Sequence, residues 1–305
     1  MNSLTLGNYQ TSPIVMGCMR IADRTPQQVQ TLIHTALDAG ICHFDHADIY
    51  GGGRCEEVFG EALAAEPGLR KKMILQSKCS IRKGLGYYDF SYDHIMKSAE
   101  EILKRLRTDR LDLLLFHRPD ALAEKEEFAR AVQELKAQGK VLAFGVSNMN
   151  PAQVRLLEAW SGEKMLTDQV QLSLMHAGLV TSGVNVNVGN PDGTMYDGSL
   201  LPFAQRVDMG LQAWSPLQYG MFQGCFVGNE KFPELNACLE EMTQKYQVSP
   251  TAIAIAWILR IPGKMQAITG TANPEHLKDA ARAMEIKLSR PDWYALYRSC
   301  GYPVP

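Results

Sequence analysis

The chain has 305 residues, of which 46% are hydrophobic and 21% charged, and its formal net charge is −2 at pH 7. This composition is typical of a globular protein and excludes a disordered or fibrous one. A charge so close to zero produces no extended basic field, so nucleic acid and anionic membranes are not expected partners.

The amino-terminal stretch MNSLTLGNYQTSPIVMG lacks the basic start and the long apolar run of a signal peptide. No segment reaches the roughly 18 apolar residues of a membrane-spanning helix. The seven cysteines are odd in number and form no C-x-x-C pair, which disfavours a disulfide framework and a zinc knuckle. We therefore expect a cytoplasmic protein whose thiols are reduced.

Short apolar runs alternate with amphipathic segments along the whole chain. The opening LTLGNYQTSP predicts a small β-hairpin. Eight apolar runs then predict strands, at residues 14–17, 42–47, 73–78, 111–117, 141–147, 168–173, 211–215 and 265–270.

The segments between these runs carry apolar residues every three to four positions, which predicts amphipathic helices. Two such stripes are Val29, Leu32, Ile33, Ala36 and Leu37, and Ile95, Ala99, Ile102 and Leu106. Signals for helix starts and helix ends flank the stripes, namely Thr25-Pro26, Asn150-Pro151, Gly40 and Gly139. Local end signals and apolar period therefore agree.

A strand followed by a helix, repeated eight times in about 270 residues, predicts an α/β fold of the (β/α)8 type, the TIM barrel. No low-complexity tract or Pro/Ser-rich linker marks a boundary, so we expect one barrel domain over residues 1–305. The Gly- and Asn-rich segment 178–199 predicts a long loop after the sixth strand, which serves as a lid or a surface excursion.

The segment HFDHADIYG, residues 43–51, places two histidines and two aspartates within six positions. On a strand, His43 and Asp45 point to one face while His46 points to the other. A metal ion needs at least three converging ligands, so these residues alone do not predict a metal site.

Four residues of different chemistry stand at or just after the ends of barrel strands: Asp45, Tyr50, Lys78 and His117. The ends of parallel barrel strands converge on one mouth, so we expect these side chains to meet. A structural Lys78–Asp45 ion pair is the simplest interpretation. Tyr50 adds a second one, because an ammonium beside a phenol stabilises the phenolate and suits the phenol to proton transfer.

These residues lie in a set of spaced motifs. The motifs are FDHADIYG around Asp45 and Tyr50, Lys78 at a strand end, FHRPD around His117, GVSN at 145–148, WSPL at 214–217 and ITGTANPEHL at 268–277. Over nearly its whole length the chain resembles the aldo-keto reductases, and its divergent middle is most similar to bacterial oxidoreductases of uncharacterised substrate.

The resemblance implies an enzyme that uses NADP(H) to reduce aldehyde or ketone groups of small molecules to alcohols by hydride transfer. Tyr50 would be the general acid, Lys78 would lower its pKa, and Asp45 would hold Lys78. His117 would donate a hydrogen bond that orients the carbonyl group. In the oxidation direction the same tyrosine would act as a base.

The resemblance also implies a cofactor site across the mouth of the barrel. The expected cofactor-binding residues are Gly17, Met19, Asp45, Ser147, Asn148, Gln169, Trp214, Ser215, Pro216, Leu217, Gly270, Thr271, Asn273 and His276. Ser147, Asn148 and Gln169 match the positions that bind the nicotinamide carboxamide, and Trp214 would stack on the nicotinamide, although it could instead be a core residue.

Other cofactor residues match the positions that bind the phosphates. Ser215 to Leu217 match the turn on the pyrophosphate, and the helix that Asn273-Pro274 opens faces the adenosine 2′-phosphate. His276 stands where many NADP-dependent members carry arginine, and no fixed positive charge is evident in that segment. Weak discrimination between the two cofactors is therefore expected, with NADP(H) preferred and NAD(H) possible.

The expected substrate-binding residues are Tyr50, His117, Tyr87, Met175 and His176. Two other functions remain open, namely a cofactor-binding redox sensor or regulatory subunit with little turnover, and an aldolase-type barrel in which Lys78 is a Schiff-base nucleophile. The intact set of four residues favours the reductase. We expect a small carbonyl compound as the ligand, and a monomer or a weak homo-oligomer.

Overall fold

A computed structural model describes residues 3–184, 198–221 and 223–304. Its strands are β1 (Leu4–Leu6), β2 (Tyr9–Thr11), β3 (Ile14–Gly17), β4 (His43–Asp45), β5 (Ile74–Cys79), β6 (Ile81–Arg82), β7 (Tyr87–Tyr88), β8 (Leu111–Phe116), β9 (Val141–Ser147), β10 (Met165–Gln171), β11 (Gly210–Trp214) and β12 (Lys264–Thr269). Eight of them form a closed barrel in the order β3-β4-β5-β8-β9-β10-β11-β12, and all neighbouring pairs are parallel.

The eight predicted strands are the eight strands of this barrel, so the predicted (β/α)8 fold is confirmed. The helices that surround it are α1 (Pro26–Asp38), α2 (Arg54–Ala65), α3 (Tyr92–Leu106), α4 (Lys125–Ala137), α5 (Pro151–Ser161), α6 (Gly178–Val184), α7 (Leu200–Val207), α8 (Pro233–Tyr246), α9 (Pro250–Leu259), α10 (Pro274–Ala281) and α11 (Arg290–Ser299). None of the helices in the described ranges is long and apolar enough to cross a membrane.

The helix signals of the sequence act as expected. Thr25 caps α1 by accepting a hydrogen bond from the backbone N–H of Gln28, whose side chain in turn accepts one from the backbone N–H of Thr25. Asn150 caps α5 in the same reciprocal way. Gly40 and Gly139 follow α1 and α4 with φ of 78° and 68°, a left-handed conformation that only glycine adopts without strain.

The segment 178–199 differs in part from the predicted loop. Its first seven residues form the helix α6, Gly178–Val184, and residues 185–197 lie outside the described residues. The predicted loop therefore contains a short helix at its start, which its Gly- and Asn-rich composition did not indicate.

The antiparallel hairpin β1–β2 closes the barrel at the amino-terminal ends of the strands. Tyr9 of this hairpin packs against a small buried apolar cluster inside the barrel, formed by Ile74, Leu113, Leu115 and Ala143. Its hydroxyl group donates a hydrogen bond to the carbonyl oxygen of Asp112 at 3.2 Å. The predicted hairpin is confirmed, and the open mouth lies at the opposite end, where the strands terminate.

Strand alternation places the residues of β4 on opposite faces, as expected. His43 faces the barrel interior, where its Nδ1 lies 3.2 Å from the Oγ1 of Thr11. His46 faces outward, and its ring packs edge-on against Phe59 of α2 with centroids 4.5 Å apart. The two histidines therefore do not converge on a common ion.

Candidate active site

Asp45, Tyr50, Lys78 and His117 meet at the mouth of the barrel. Asp45 ends β4, Lys78 is the penultimate residue of β5, and His117 directly follows β8. Tyr50 begins a short 3-10 turn after β4. The rings of Tyr50 and His117 lie nearly perpendicular, with centroids 6.3 Å apart, so the convergence expected from the sequence is present in the structure.

The ammonium group of Lys78 is the centre of this cluster. It donates hydrogen bonds to Asp45 Oδ2 at 2.8 Å, to the carbonyl oxygen of His46 at 2.7 Å and to the Tyr50 hydroxyl at 3.0 Å. These three acceptors match the three N–H groups of an ammonium ion. The Lys78 side chain is fully buried, so each of these bonds forms without competition from water.

The charge state of Lys78 follows from two opposing effects. Burial favours the neutral amine, but Asp45 and Tyr50 stabilise the ammonium ion and together raise the pKa of Lys78 above its ordinary value. A Schiff-base nucleophile must be a neutral amine, so this environment favours an electrostatic role for Lys78 over the aldolase-type role.

Burial also decides the protonation state of Tyr50 and His117. Burial raises the pKa of the Tyr50 phenol above its ordinary value, and the lowering effect of the Lys78 ammonium offsets this only in part. The sequence had indicated the effect of Lys78 alone. Burial, Lys78 and Arg118 hold the pKa of His117 well below its usual range. At neutral pH, Tyr50 is therefore a protonated phenol and His117 a neutral imidazole.

Three consecutive glycines set the direction of the turn that carries Tyr50. Gly51, Gly52 and Gly53 have φ of 58°, 67° and 96°, which residues with a side chain rarely adopt. A Cβ on Gly53 would also lie only 2.9 Å from the Cδ of Arg105. The three glycines therefore allow the sharp turn that carries Tyr50.

A buried ion pair that the sequence did not predict lies next to the turn that carries Tyr50. Glu56 in α2 accepts hydrogen bonds from Arg105 Nε at 2.7 Å and from the Ser77 hydroxyl at 2.6 Å. The partners are far apart in sequence and carry no motif, so no local signal could identify them. Ser77 adjoins Lys78, so Glu56 connects the helix that follows the Tyr50 turn to the strand that carries Lys78.

Three of the expected nicotinamide-site residues are connected to one another. Asn148 Nδ2 donates to Ser147 Oγ at 2.6 Å, and Trp214 Nε1 donates to Asn148 Oδ1 at 3.2 Å. Asn148 and Ser215 have φ of 58° and 53°, unusual values for residues other than glycine and typical of functional sites. Trp214 is partly exposed at the end of β11, which suits a ring that stacks on a ligand better than a core residue.

Gln169 has partners inside the barrel that the sequence did not indicate, and its role at the nicotinamide stays a prediction. Its side chain lies inside the barrel, where Nε2 donates to Asp45 Oδ1 at 3.0 Å and to Gln212 Oε1 at 3.1 Å. Its amide nitrogen is therefore already engaged. Only the oxygen of its side chain remains to accept a hydrogen bond from a carboxamide.

The other expected cofactor residues at the mouth lie at or just after the ends of β3, β11 and β12. Gly17 approaches β12 so closely that a Cβ would lie 2.8 Å from Ile268 Cγ2, and Met19 follows it. Pro216 is buried and Leu217 packs against the core. Asn273 caps α10 by accepting from the N–H of Glu275, Thr271 Oγ1 accepts from the N–H of Asn273, and His276 is exposed. Their role in cofactor binding stays a prediction.

The expected substrate residues other than Tyr50 and His117 lie on separate loops. Tyr87 is 48% exposed in the small hairpin β6–β7, where its ring faces the guanidinium group of Arg82. His176 is exposed, and its backbone N–H and C=O groups pair with those of Ser173 in a tight turn. Met175 packs partly against the core. Their role in substrate binding stays a prediction.

The comparison with known proteins agrees with this geometry. The sequence profile of the Aldo/keto reductase family matches residues 13–298. The chain belongs to the aldo/keto reductase family. A 6-dehydroglucose reductase of Agrobacterium fabrum is 37% identical over 300 residues, 94% of each protein. An oxidoreductase of Escherichia coli, YdhF, is 37% identical over 303 residues, 96% of this chain and 95% of that protein.

Solved structures of aldo/keto reductases are also similar. An aldo-keto reductase from Klebsiella pneumoniae in complex with NADPH superposes with a TM-score of 0.79 at 27% identity, over 100% of this chain and 97% of that one. The thermostable aldo-keto reductase Tm1743 in complex with the inhibitor epalrestat superposes with a TM-score of 0.77 at 27% identity, over 98% of each chain. The family assignment and the barrel are therefore consistent over the full length.

The structure of this aldo/keto reductase corrects one expectation about charge. The segment around Gly270 has no fixed positive charge of its own, but Arg20 Nη1 donates a hydrogen bond to the Gly270 carbonyl oxygen at 2.8 Å. Arg20 lies in the loop after β3, so it reaches this position only because β3 and β12 are adjacent in the barrel. The helix α10, which Asn273 caps, begins three residues after Thr271.

Asp168 is an unexpected buried acid in this aldo/keto reductase. It stands beside Gln169 on β10, is fully buried, and makes no side-chain hydrogen bond in the described part of the chain. Burial raises the pKa of Asp168 to about 7, an effect that the nearby backbone N–H groups of Met149 and Asn148 oppose only in part. Near neutral pH the carboxyl group is therefore close to its titration midpoint.

Replacing Asp168 with asparagine is expected to stabilise the fold at alkaline pH. The pKa of Asp168 is about 7 in the folded protein and about 3.9 in the unfolded chain. Ionisation of Asp168 therefore destabilises the fold most above pH 7, and this penalty decreases as the pH falls from 7 toward 3.9. At pH 8.5 we expect urea denaturation to give Asp168→Asn a free energy of unfolding a few kcal/mol above that of the wild type. We expect this gain to be smaller at pH 5. A gain of equal size at both pH values would contradict the ionisation argument.

Proposed function

We propose that the protein is an NADP(H)-dependent reductase of small-molecule aldehydes or ketones, with Tyr50 as the proton donor. The observation that carries the proposal is the position of Lys78 Nζ, 3.0 Å from the Tyr50 hydroxyl and 2.8 Å from Asp45 Oδ2 in a fully buried cluster. A buried lysine held as an ammonium ion against a phenol has no evident structural purpose, because an apolar side chain would cost less to bury.

The bound nicotinamide would supply the hydride that reduces the carbonyl carbon. Tyr50 donates its phenolic proton to the carbonyl oxygen, and Lys78 stabilises the phenolate that remains. His117, which is neutral, donates a hydrogen bond to the same oxygen and so orients the substrate. Asp45 keeps Lys78 in place. In the reverse direction the phenolate accepts the proton from an alcohol.

The residues at the mouth fit a nicotinamide dinucleotide. The linked Ser147, Asn148 and Trp214 offer hydrogen-bonding groups and an aromatic face to the nicotinamide. The start of α10 offers backbone N–H groups and the positive end of a helix dipole to a phosphate. Arg20, on Gly270, adds the fixed charge that the segment itself lacks. A solved relative with NADPH, similar over the whole chain, supports the choice of cofactor.

The direct test is the loss of NADPH absorbance with a panel of carbonyl compounds. The panel would contain aliphatic and aromatic aldehydes, ketones and 6-dehydroglucose, since one relative is named for that activity. Turnover that depends on the carbonyl compound supports the reductase. Tight binding of NADPH without turnover on any compound would instead favour the redox sensor or regulatory subunit.

Replacing Arg20 with alanine is expected to weaken NADPH more than NADH. A charged hydrogen bond contributes about 1.5–3 kcal/mol, so the KM for NADPH should rise about tenfold or more. The KM for NADH, which lacks the 2′-phosphate, should change by less than about threefold. The control is Arg290→Ala, an exposed arginine at the start of α11. Equal increases in the KM values for NADPH and NADH would mean that Arg20 contacts the pyrophosphate or only supports its own loop.

A further inference from the structure

Four buried glutamines occupy the interior of the barrel, where bulky apolar side chains are usual. They are Gln76 on β5, Gln169 on β10, Gln212 on β11 and Gln266 on β12. Gln169, Gln212 and Gln266 stand directly opposite one another on adjacent strands, and Gln76 stands opposite Asp45. Strand register therefore brings these amides and the carboxylate of Asp45 to neighbouring positions inside the barrel.

The amides form a continuous chain of hydrogen bonds. Gln76 and Gln212 exchange two bonds, from Gln76 Nε2 to Gln212 Oε1 at 3.0 Å and from Gln212 Nε2 to Gln76 Oε1 at 3.1 Å. Gln212 Nε2 also donates to Gln266 Oε1 at 3.0 Å, and Gln266 Nε2 donates to the carbonyl oxygen of Ser12 at 2.7 Å. The chain thus extends from the base of the barrel toward its mouth.

Both ends of the chain are obligate acceptors. The backbone carbonyl of Ser12 accepts at the base, and the carboxylate of Asp45 accepts at the mouth. An amide that donates to a fixed acceptor must present its oxygen elsewhere, so the orientation of each glutamine follows from that of its neighbour. This arrangement directs an N–H group of Gln76 to Asp45 Oδ1 at 2.6 Å.

The two carboxylate oxygens of Asp45 consequently have different partners. Oδ1 accepts from Gln76 at 2.6 Å and from Gln169 at 3.0 Å, while Oδ2 accepts from Lys78 at 2.8 Å. The glutamines are neutral, so they fix the carboxylate without competing with Lys78 as a charge. If they were absent, Asp45 could turn either oxygen toward Lys78 and would hold the ammonium less firmly beside Tyr50.

We infer that Gln76 is a positioning residue for proton transfer, acting through Asp45 and Lys78 on the Tyr50 hydroxyl, with Gln212 fixing the orientation of its amide. The inference rests on the proposed reductase function, and it assigns no contact between Gln76 and substrate or cofactor. Gln76 lies two residues before Lys78, so strand alternation places both side chains on the inner face.

The first experiment compares Gln76→Met with Gln266→Met. Methionine has a similar shape and lacks the amide, and Gln266 lies on the same chain without touching Asp45. For Gln76→Met we expect kcat to fall about ten- to a hundredfold, because the Asp45 carboxylate loses a strong charge-assisted hydrogen bond. The KM for NADPH should stay within about twofold of the wild-type value. For Gln266→Met, which leaves Gln76 bonded to Asp45 and to Gln212, we expect a smaller loss of kcat, within about threefold. Equal losses of kcat in the two variants would overturn the inference.

A cofactor-free measurement reads Tyr50 directly. The ultraviolet absorbance of tyrosinate is titrated in the free protein, with Tyr50→Phe subtracted as the blank. We expect the Tyr50 titration to move to higher pH in Gln76→Met, because Lys78 is held less firmly beside the hydroxyl. An unchanged titration would overturn the inference. Should Gln76→Met fail to fold, Gln212→Met is expected to change kcat and this titration in the same directions, by a smaller amount, and no change there would count against it.

A double-mutant cycle separates positioning from general destabilisation. If Gln76 acts only through the Asp45 carboxylate, Gln76→Met should change single-turnover rates by less than about threefold in an Asp45→Asn background. Fully additive losses would overturn the inference. If the wild type reduces no carbonyl compound while it binds NADPH, the proposed function fails, whereas an active wild type with an unaffected Gln76→Met removes only the role of Gln76.

Discussion

Replacing Tyr50 with phenylalanine is expected to lower kcat for carbonyl reduction by about 10²- to 10⁴-fold, the usual contribution of a positioned general acid. The substitution removes one atom, the phenolic oxygen that lies 3.0 Å from Lys78 Nζ, and keeps the ring that packs against the core. Binding of NADPH should persist, because the ring is retained. Steady-state kinetics and a fluorescence titration of NADPH measure the two effects separately.

The matched control is Tyr9→Phe, which removes a hydroxyl group from the hairpin at the closed end of the barrel. The Tyr9 hydroxyl donates to the Asp112 carbonyl oxygen, so its loss affects local packing and not the mouth. We expect Tyr9→Phe to keep kcat within about twofold and to cost about 1 kcal/mol of folding free energy. If Tyr50→Phe retained more than a tenth of the wild-type kcat, another group would have to donate the proton.

The pH dependence of the wild type should carry the signature of the same residue. Burial raises the pKa of Tyr50 above its ordinary value of about 10, so the phenol stays protonated throughout the neutral range. Reduction requires this protonated form, so kcat for reduction should be flat near neutrality and should fall only as pH rises through the raised pKa. Oxidation of the alcohol requires the phenolate and should increase over that range.

The sequence predicted the architecture because its signals are local and repeated. Strand runs alternated with helical stripes, and end signals such as Thr25-Pro26 agreed with the apolar period. Asp45, Tyr50, Lys78 and His117 could be grouped for the same reason, since barrel topology fixes where strand ends meet. The cluster therefore followed from strand assignments plus one rule of geometry.

The features that the sequence did not predict depend on contacts between distant segments. Arg20 reaches Gly270 across 250 positions, and Arg105 reaches Glu56 across 49. The raised pKa of Tyr50 depends on burial by several elements, which no motif encodes. The hydrogen bonds of Gln169 could not be predicted because its partners, Asp45 and Gln212, come from two other strands. Among these residues, Gln76 could have been recognised from the sequence, because it stands two positions before Lys78 on the same strand and therefore faces the same side.

Replacing Lys78 with methionine is expected to cost both stability and activity. Methionine fills a similar volume but leaves the Asp45 carboxylate buried without its counter-ion, a change that typically costs about 3–5 kcal/mol of folding free energy. Gln76 and Gln169 still donate to Asp45 Oδ1, so we expect the lower end of this range. The kcat for reduction should fall by about a thousandfold, because the phenolate of Tyr50 loses the cation that lies beside it.

The double variant Lys78→Met/Asp45→Asn separates the two losses. Asparagine removes the unpaired charge and keeps the shape of Asp45, so urea denaturation should recover most of the stability lost in Lys78→Met. The kcat should not recover, because no cation returns to the Tyr50 hydroxyl. Recovery of stability without activity would show that Asp45 serves Lys78 and that Lys78 serves Tyr50. Recovery of both would mean that Lys78 matters only as a structural partner of Asp45, and the proton-transfer mechanism would then have to be abandoned.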